Sequence, residues 1–157
     1  NTLLTGDDLH SKGFIKHERS RAFTEKVIKT FDVKTPSVMK PAQALSGGNL
    51  QKFIVGREML NHPRILIVDQ PTWGVDVGAA AVIRNALVKL RSEGAAVVVV
   101  SEEIDELYEV CDRIAVMYRG HISPAVPVQS LGMEELGRWM AGLWSGSPFK
   151  NKSREAD

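Results

Sequence analysis

Residues 65–100 carry the pattern that decides the fold, and they read ILIVDQPTWGVDVGAAAVIRNALVKLRSEGAAVVVV. The apolar runs at 65–68 and 95–100 have no polar alternation, which is typical of strands buried on both faces of a parallel sheet. Between them, apolar residues recur at helical spacing, at Ala79, Val82, Ile83, Ala86, Leu87 and Leu90. Gly94 is placed to end this helix as its C′ residue. Strand, helix and strand in this order predict an α/β fold with a parallel sheet.

The flanking sequence continues the alternation of strands and helices. Upstream, apolar spacing predicts one helix over 18–32 and a second that starts after Ser46 and ends near Leu60. Downstream it predicts a short helix over 104–111 and a third strand over 114–118. A last helix is predicted over 133–143, with these residues inward: Leu136, Trp139, Met140 and Leu143. We expect residues 1–17 to be irregular and the polar residues 145–157 to fray.

Composition excludes several classes of protein. The 157 residues carry a formal net charge of +1, so no broad basic field indicates binding to nucleic acid. One cysteine, Cys111, rules out an internal disulfide. No apolar run reaches the length of a membrane-spanning helix. The four histidines lack the spacing of metal ligands.

Two features carry chemistry. The first is the string that opens the second helix, Leu45-Ser46-Gly47-Gly48-Asn49-Leu50-Gln51-Lys52. Ser46 is placed to cap the helix, and the two glycines let a phosphate approach bare backbone N–H groups at its positive end. The second feature is the polar pairs that follow two strands, at 69–70 and 101–102, where ligands meet a parallel sheet. Taken alone, a serine cap after a glycine turn and an aspartate at a strand end explain much of this pattern.

The full string, however, resembles the signature motif of ABC ATPases. In the same order, 65–69 is similar to the Walker B strand and 71–76 to the D-loop, which lies between two nucleotide-binding domains. The resemblance runs from about residue 31 to residue 122. It implies Mg²⁺ at Asp69 and ATP as the cofactor. It also implies contacts to ATP from Leu45, Ser46, Gly47, Gly48, Asn49, Gln51 and Asp76.

Within that family, the sequence at residues 74–79 and Asn49 in the signature string look most like those of ATP-binding subunits of importers for simple sugars and nucleosides. The resemblance implies a second nucleotide-binding domain, fused or dimeric, and transmembrane permease subunits as partners. A substrate-binding protein would act indirectly, and nucleic acid is not expected. Such a subunit lies peripherally at the cytoplasmic face of the cell membrane.

Three departures from the family pattern matter. No Gly-x-x-x-x-Gly-Lys-Ser/Thr string occurs, so we expect the isolated chain to be inactive and the Walker A loop to lie upstream of Asn1. Gln70 stands where the family has its catalytic glutamate, and an amide cannot accept a proton from water. Glu102 stands where the switch histidine is expected, and a carboxylate repels the γ-phosphate.

The predicted fold is therefore an α/β P-loop NTPase of the ABC type, truncated and lacking the Walker A βα unit. We expect a helical-subdomain remnant with its linker at 1–45, the ATPase core at 46–126, a C-terminal helix at 127–145 and a disordered tail at 146–157. Removal of the upstream strands should expose apolar surface on the remaining sheet.

The predicted function is to supply the signature motif to a shared ATP site in an importer, while the catalytic side of this domain is degenerate. Full ATPase activity would belong to the complete subunit. Two alternatives stay open: a catalytically silent regulatory half-domain, and a soluble ABC protein acting in translation. The second alternative would need basic surfaces that the charge balance does not favour.

Overall fold

The computed structural model of the chain describes residues 10–11 and 14–149, which fall into two compact units divided after Glu102. The expectation that 1–17 are irregular is wrong at 10–11 and 14–15, which pair as short antiparallel strands; its part at 1–9 and 12–13, and the tail at 150–157, lie outside the described residues. The first unit contains β1 (His10–Ser11), β2 (Phe14–Ile15), α1 (His17–Thr30), α2 (Gly47–Leu60), β3 (Ile65–Asp69), α3 (Val77–Ser92) and β4 (Ala96–Val100). The second contains α4 (Ile104–Val110), β5 (Arg113–Ile114), β6 (Met117–Tyr118), β7 (His121–Ile122), β8 (Val126–Pro127) and α5 (Met133–Met140).

The centre of the first unit is a pair of parallel strands joined by a helix. β3 and β4 pair in parallel from Ile65 opposite Ala96 to Asp69 opposite Val100, with α3 as the crossover. This confirms the predicted strand, helix and strand. The buried core beside the pair consists of Val27, Phe31, Val33, Phe53, Val55, Met59, Leu66, Ile83, Leu87 and Leu90.

Among the described residues, none of the helices covers the opposite face of this sheet. Ile65 and Ile67 are 68% and 69% exposed, and Val98 on the neighbouring strand is 49% exposed. The prediction that these strands are buried on both faces is therefore wrong for this chain, because the helices pack on one face only. The apolar surface that we expected on the remaining sheet is present.

The two long helices near the site begin and end where the sequence indicates. Ser46 is the N-cap residue of α2, which ends at Leu60. α3 is capped by Asp76, whose Oδ1 accepts a hydrogen bond from the Ala79 N–H at 2.8 Å. At its other end Gly94 follows the C-cap with φ +95°, a conformation that favours glycine, so its predicted role is confirmed.

The second unit differs from the prediction. No single strand spans 114–118 among the described residues. β5 pairs with β8 and β6 with β7, both antiparallel, because the turn at Arg119 and Gly120 doubles the chain back with φ of +47° and +76°. In α5 the predicted burial of Met140 is also wrong, since that side chain is 50% exposed. The core here consists of Ile114, Val116, Val128, Leu131, Leu136, Trp139 and Trp144.

Among the described residues, no helix combines the length and the apolar character needed to cross a bilayer.

Candidate functional site

The open end of α2 forms the first part of the site. Ser46 and Gly47 are exposed there, and the first N–H groups of a helix have no carbonyl partner within the helix. The Ser46 hydroxyl accepts a hydrogen bond from Asn49 Nδ2 at 2.9 Å and makes no bond to the helix backbone. The predicted side-chain cap is therefore wrong, although Ser46 does occupy the N-cap position. The end of the helix stays open to an anion.

Asn49 fixes this helix end to the segment that follows α1. Its Oδ1 accepts a hydrogen bond from the Lys34 N–H at 2.7 Å. Asp32, which lies in that segment at φ +48°, accepts a hydrogen bond from Lys34 Nζ at 2.6 Å, and this bond lowers the pKa of the Asp32 carboxyl. Lys52 Nζ donates to the Asp32 carbonyl at 2.6 Å. Two residues of α2 thus hold the segment at 32–34 in place.

The glycines at the start of α2 lie against the loop that leads into α3. A Cβ added to Gly48 would stand 3.7 Å from Val75 Cβ and 3.8 Å from Asp76 Oδ2. A Cβ added to Gly47 would stand 3.8 Å from the Gly74 carbonyl oxygen. The signature string and the loop at 74–76 are therefore neighbours within one unit. Leu45, just before the helix, packs against the core.

The carboxyl ends of β3 and β4 form the second part of the site. Gln70 follows β3 at φ +47°, and its N–H donates to the Val100 carbonyl at 2.8 Å. Its side-chain Oε1 lies 3.5 Å from the Glu102 N–H, the donor of a long hydrogen bond. Asp69 ends β3 with an exposed side chain. The residues that the sequence resemblance places at the Mg²⁺, general-base and switch positions thus lie at one edge of the sheet.

Gln51 makes a contact that the sequence did not predict. Its Nε2 donates to the Pro71 carbonyl at 3.0 Å and lies 3.4 Å from the Gln70 carbonyl. The amide thus joins the second turn of α2 to the turn after β3. No sequence pattern marks this contact, since its acceptors are backbone carbonyls.

A metal ion would need ligands beyond Asp69. In the described part of the chain, no three histidine, cysteine or carboxylate side chains are grouped so that they could hold a metal. One exposed carboxylate at a strand end suits an ion whose remaining oxygen ligands come from a nucleotide and water.

The glycine-started helix, the parallel β3–α3–β4 unit and Asp69 at its carboxyl edge define the class: the chain folds as part of an ABC ATPase domain. It is 42% identical over 130 residues to the nucleoside import ATP-binding protein NupA of Lactococcus lactis, covering 83% of this chain and 26% of that protein. It is 42% identical over 134 residues to the guanosine import ATP-binding protein NupO of Bacillus subtilis, covering 85% and 25%. No protein-family model matches the chain.

Solved structures agree with this class. A dimeric ATP-binding cassette in a post-hydrolysis state, bound to ADP and phosphate, matches with a TM-score of 0.64 at 26% identity, over 75% of this chain and 51% of that one. Another dimeric structure of the same cassette, described as a bacterial ABC transporter cassette, matches with a TM-score of 0.64 at 25% identity, over the same shares. The predicted resemblance and fold class are confirmed: the chain is a homologue of ABC import ATP-binding proteins. It spans about a quarter of the length of these curated relatives.

Proposed function

We propose that this chain supplies the signature element of a shared ATP site in an ABC importer for sugars or nucleosides, and that its own catalytic side is degenerate. The observation that carries the proposal is the open N-terminal end of α2 beside the loop at 74–76. In the dimer of the homologous cassettes, such an end would meet the nucleotide held by the facing domain. The exposed Gly47 leaves room for a phosphate to approach the backbone.

The residues of the chain fit the roles that ATP and Mg²⁺ require. When bound, the nucleotide supplies the phosphoryl group and the ion neutralises its charge. The N–H groups at 47–49 would donate to the phosphate on the partner domain, with Ser46 and Asn49 held next to them. Asp69 would bind the ion on this domain's own side.

Slow turnover on this domain's own side follows from two side chains. The Gln70 amide can orient a water molecule but cannot remove its proton, and loss of a general base costs about 10²–10⁴ in rate. The Glu102 carboxylate, if placed at the γ-phosphate, would add repulsion where the family has a hydrogen-bond donor. We therefore place most of the hydrolysis at the partner's nucleotide.

The names of the relatives suggest the setting. Three of them are described as nucleoside, guanosine and galactose/methyl galactoside import ATP-binding proteins, and we propose membrane permeases as partners of this chain. We assign this chain to the cytoplasmic face of the membrane, where closure of two ATPase domains would drive the permease. A substrate-binding protein would deliver the solute without touching this chain.

The test uses a grafted subunit, in which all 157 residues of this chain replace the matching segment of the Lactococcus lactis relative. Ser46→Arg puts a bulky side chain at the N-terminal end of α2. We expect ATP hydrolysis to fall about 10²-fold, as when a hydrogen-bond donor to a reacting oxygen is lost. Ser145→Arg, at another exposed serine, is the matched control and should leave the rate unchanged.

The opposite pattern would refute the assignment. If Ser46→Arg leaves hydrolysis untouched and Gln70→Ala abolishes it, the active site is on this domain's own side.

A second candidate is a catalytically silent half that binds ATP and regulates a partner. The bond from the Glu102 N–H to Gln70 Oε1 favours it, because that bond engages the amide at the general-base position. ATP hydrolysis by the Ser46→Arg variant separates the two candidates, because only this domain's own site then remains active. Slow hydrolysis supports the first candidate, and no hydrolysis supports the second.

A further inference from the structure

We propose that Gln51 is a positioning residue that ties the signature helix to the turn at 70–71, and so couples the two composite ATP sites. This inference rests on the proposed function, because it needs α2 to serve one nucleotide and the end of β3 to face the other. It also changes the role of Gln51 from a contact to ATP to a support for the backbone.

The side chain of Gln51 links two segments of backbone, and we call its contacts with the Pro71 and Gln70 carbonyls the brace. The side chain is half-buried, and its Nε2 lies within 3.4 Å of both the Pro71 and the Gln70 carbonyls. Pro71 is among the most deeply buried side chains of the described chain. With its amide committed to two carbonyls, Gln51 is poorly placed to reach a phosphate.

The turn that Gln51 holds needs support. Gln70 adopts φ +47°, a left-handed conformation that costs a non-glycine residue energy. The Gln70 carbonyl also accepts from the Trp73 N–H at 3.1 Å, and the Thr72 carbonyl from the Val75 N–H at 3.4 Å. The turn therefore starts the loop that continues to 74–76, beside the glycines of α2.

Gln51 therefore connects α2 directly to the turn at 70–71. A shift of α2 caused by a phosphate at its N-terminal end would pass through the Gln51 amide to the Gln70 backbone, and from there to the loop at 72–76. A glutamine suits this role because its amide donates, and a carboxylate at the same place would repel both carbonyls.

Hydrogen exchange in the grafted subunit without nucleotide tests the brace. For Gln51→Glu we expect exchange at the Trp73 and Val75 amides to rise about tenfold, as local opening becomes easier. The Cys111 amide, bonded to the Leu107 carbonyl at 3.0 Å in the second unit, serves as the internal reference and should not change. Gln129→Glu, at an exposed glutamine, is the matched control. Gln51→Met keeps the length of the side chain and removes the donor, so it should show the same change if the glutamate variant does not fold.

Kinetics test the coupling. Gln51→Glu should lower kcat about 10- to 100-fold, as expected for misplaced groups, with the KM for ATP changed less than about twofold. If Gln51→Glu and Gln51→Met both match Gln129→Glu in exchange and in kcat, the inference is wrong. Loss of hydrolysis in Ser46→Arg alongside that result would leave the proposed function standing. An unchanged rate in Ser46→Arg would refute the proposed function, and the exchange result would still decide the role of the brace.

Discussion

Gly56 lies in the middle of α2 where the Phe31 ring packs onto the helix. A Cβ added to Gly56 would stand 2.4 Å from Phe31 Cδ2, closer than real contacts allow. We expect Gly56→Ala to lower the free energy of unfolding by about 1–3 kcal/mol, because overpacking outweighs the gain in helix propensity of about 1 kcal/mol. Gly137→Ala in α5 has open space and should be neutral or stabilising. Urea unfolding of the grafted subunit measures both variants, and equal effects would contradict the clash.

We expect Gln70 and Glu102 together to limit ATP hydrolysis at this domain's own nucleotide site. Glutamate at 70 can accept the same bond from the Glu102 N–H, so Gln70→Glu should preserve the turn. Alone it should raise own-side hydrolysis less than about tenfold, because in the proposed site the carboxylate at 102 would still repel the γ-phosphate. With Glu102→His added, the gain should reach about 10²–10⁴-fold. Single-turnover kinetics in the Ser46→Arg grafted subunit measures this. If Gln70→Glu alone gave the full increase in the rate of hydrolysis, Glu102 would not slow hydrolysis at this site.

At the scale of elements, the stability of α3 depends on its cap. Asp76 Oδ1 accepts from the Ala79 N–H at 2.8 Å. Asp76→Ala should destabilise the chain by about 0.5–2 kcal/mol, whereas Asp76→Asn keeps an acceptor and should cost much less. The same unfolding experiment compares the two variants. If asparagine is as damaging as alanine, the carboxylate charge near Gly48 matters more than the cap.

The elements that the sequence predicted well are those whose signals are local. The strands β3 and β4 and the role of Gly94 at the end of α3 are confirmed, because a run of branched apolar residues and a left-handed C′ residue each leave a mark in a few residues. The strand over 114–118 was wrong because a hydrogen bond between Ser123 and Val116, seven residues apart, helps fold the segment back. The brace at Gln51 was missed for a similar reason: its partners are distant carbonyls.

The same limit applies to the candidate site. The sequence identified the polar pairs at 69–70 and 101–102, and the pairing of β3 with β4 places Gln70 and Glu102 side by side. It could not show that the Ser46 hydroxyl bonds to Asn49, because a serine before two glycines fits a cap equally well. Side-chain partners within one turn are chosen by small energy differences that composition does not reveal.

At the scale of the whole molecule, the uncovered face of the sheet governs behaviour in solution. Ile65, Ile67, Val98 and Val100 form a contiguous apolar strip, from 42% to 69% exposed, on two strands whose sequence suits burial on both faces. The solved cassettes that match are about twice as long as the matched part, so a complete domain has further chain to cover such a face.

The 157-residue chain by itself should therefore self-associate, because large exposed apolar strips drive association. We expect its weight-average mass in analytical ultracentrifugation to exceed 17.3 kDa and to rise with concentration. Ile67→Lys together with Val98→Thr should shift it towards the monomer, since these changes make the strip polar without touching the buried face. Met133→Lys, at an exposed methionine in the second unit, is the matched control and should not change the mass. A concentration-independent monomer with a cooperative melt would contradict the prediction, because it would mean that this face tolerates water and that half an ATPase domain is a stable folding unit.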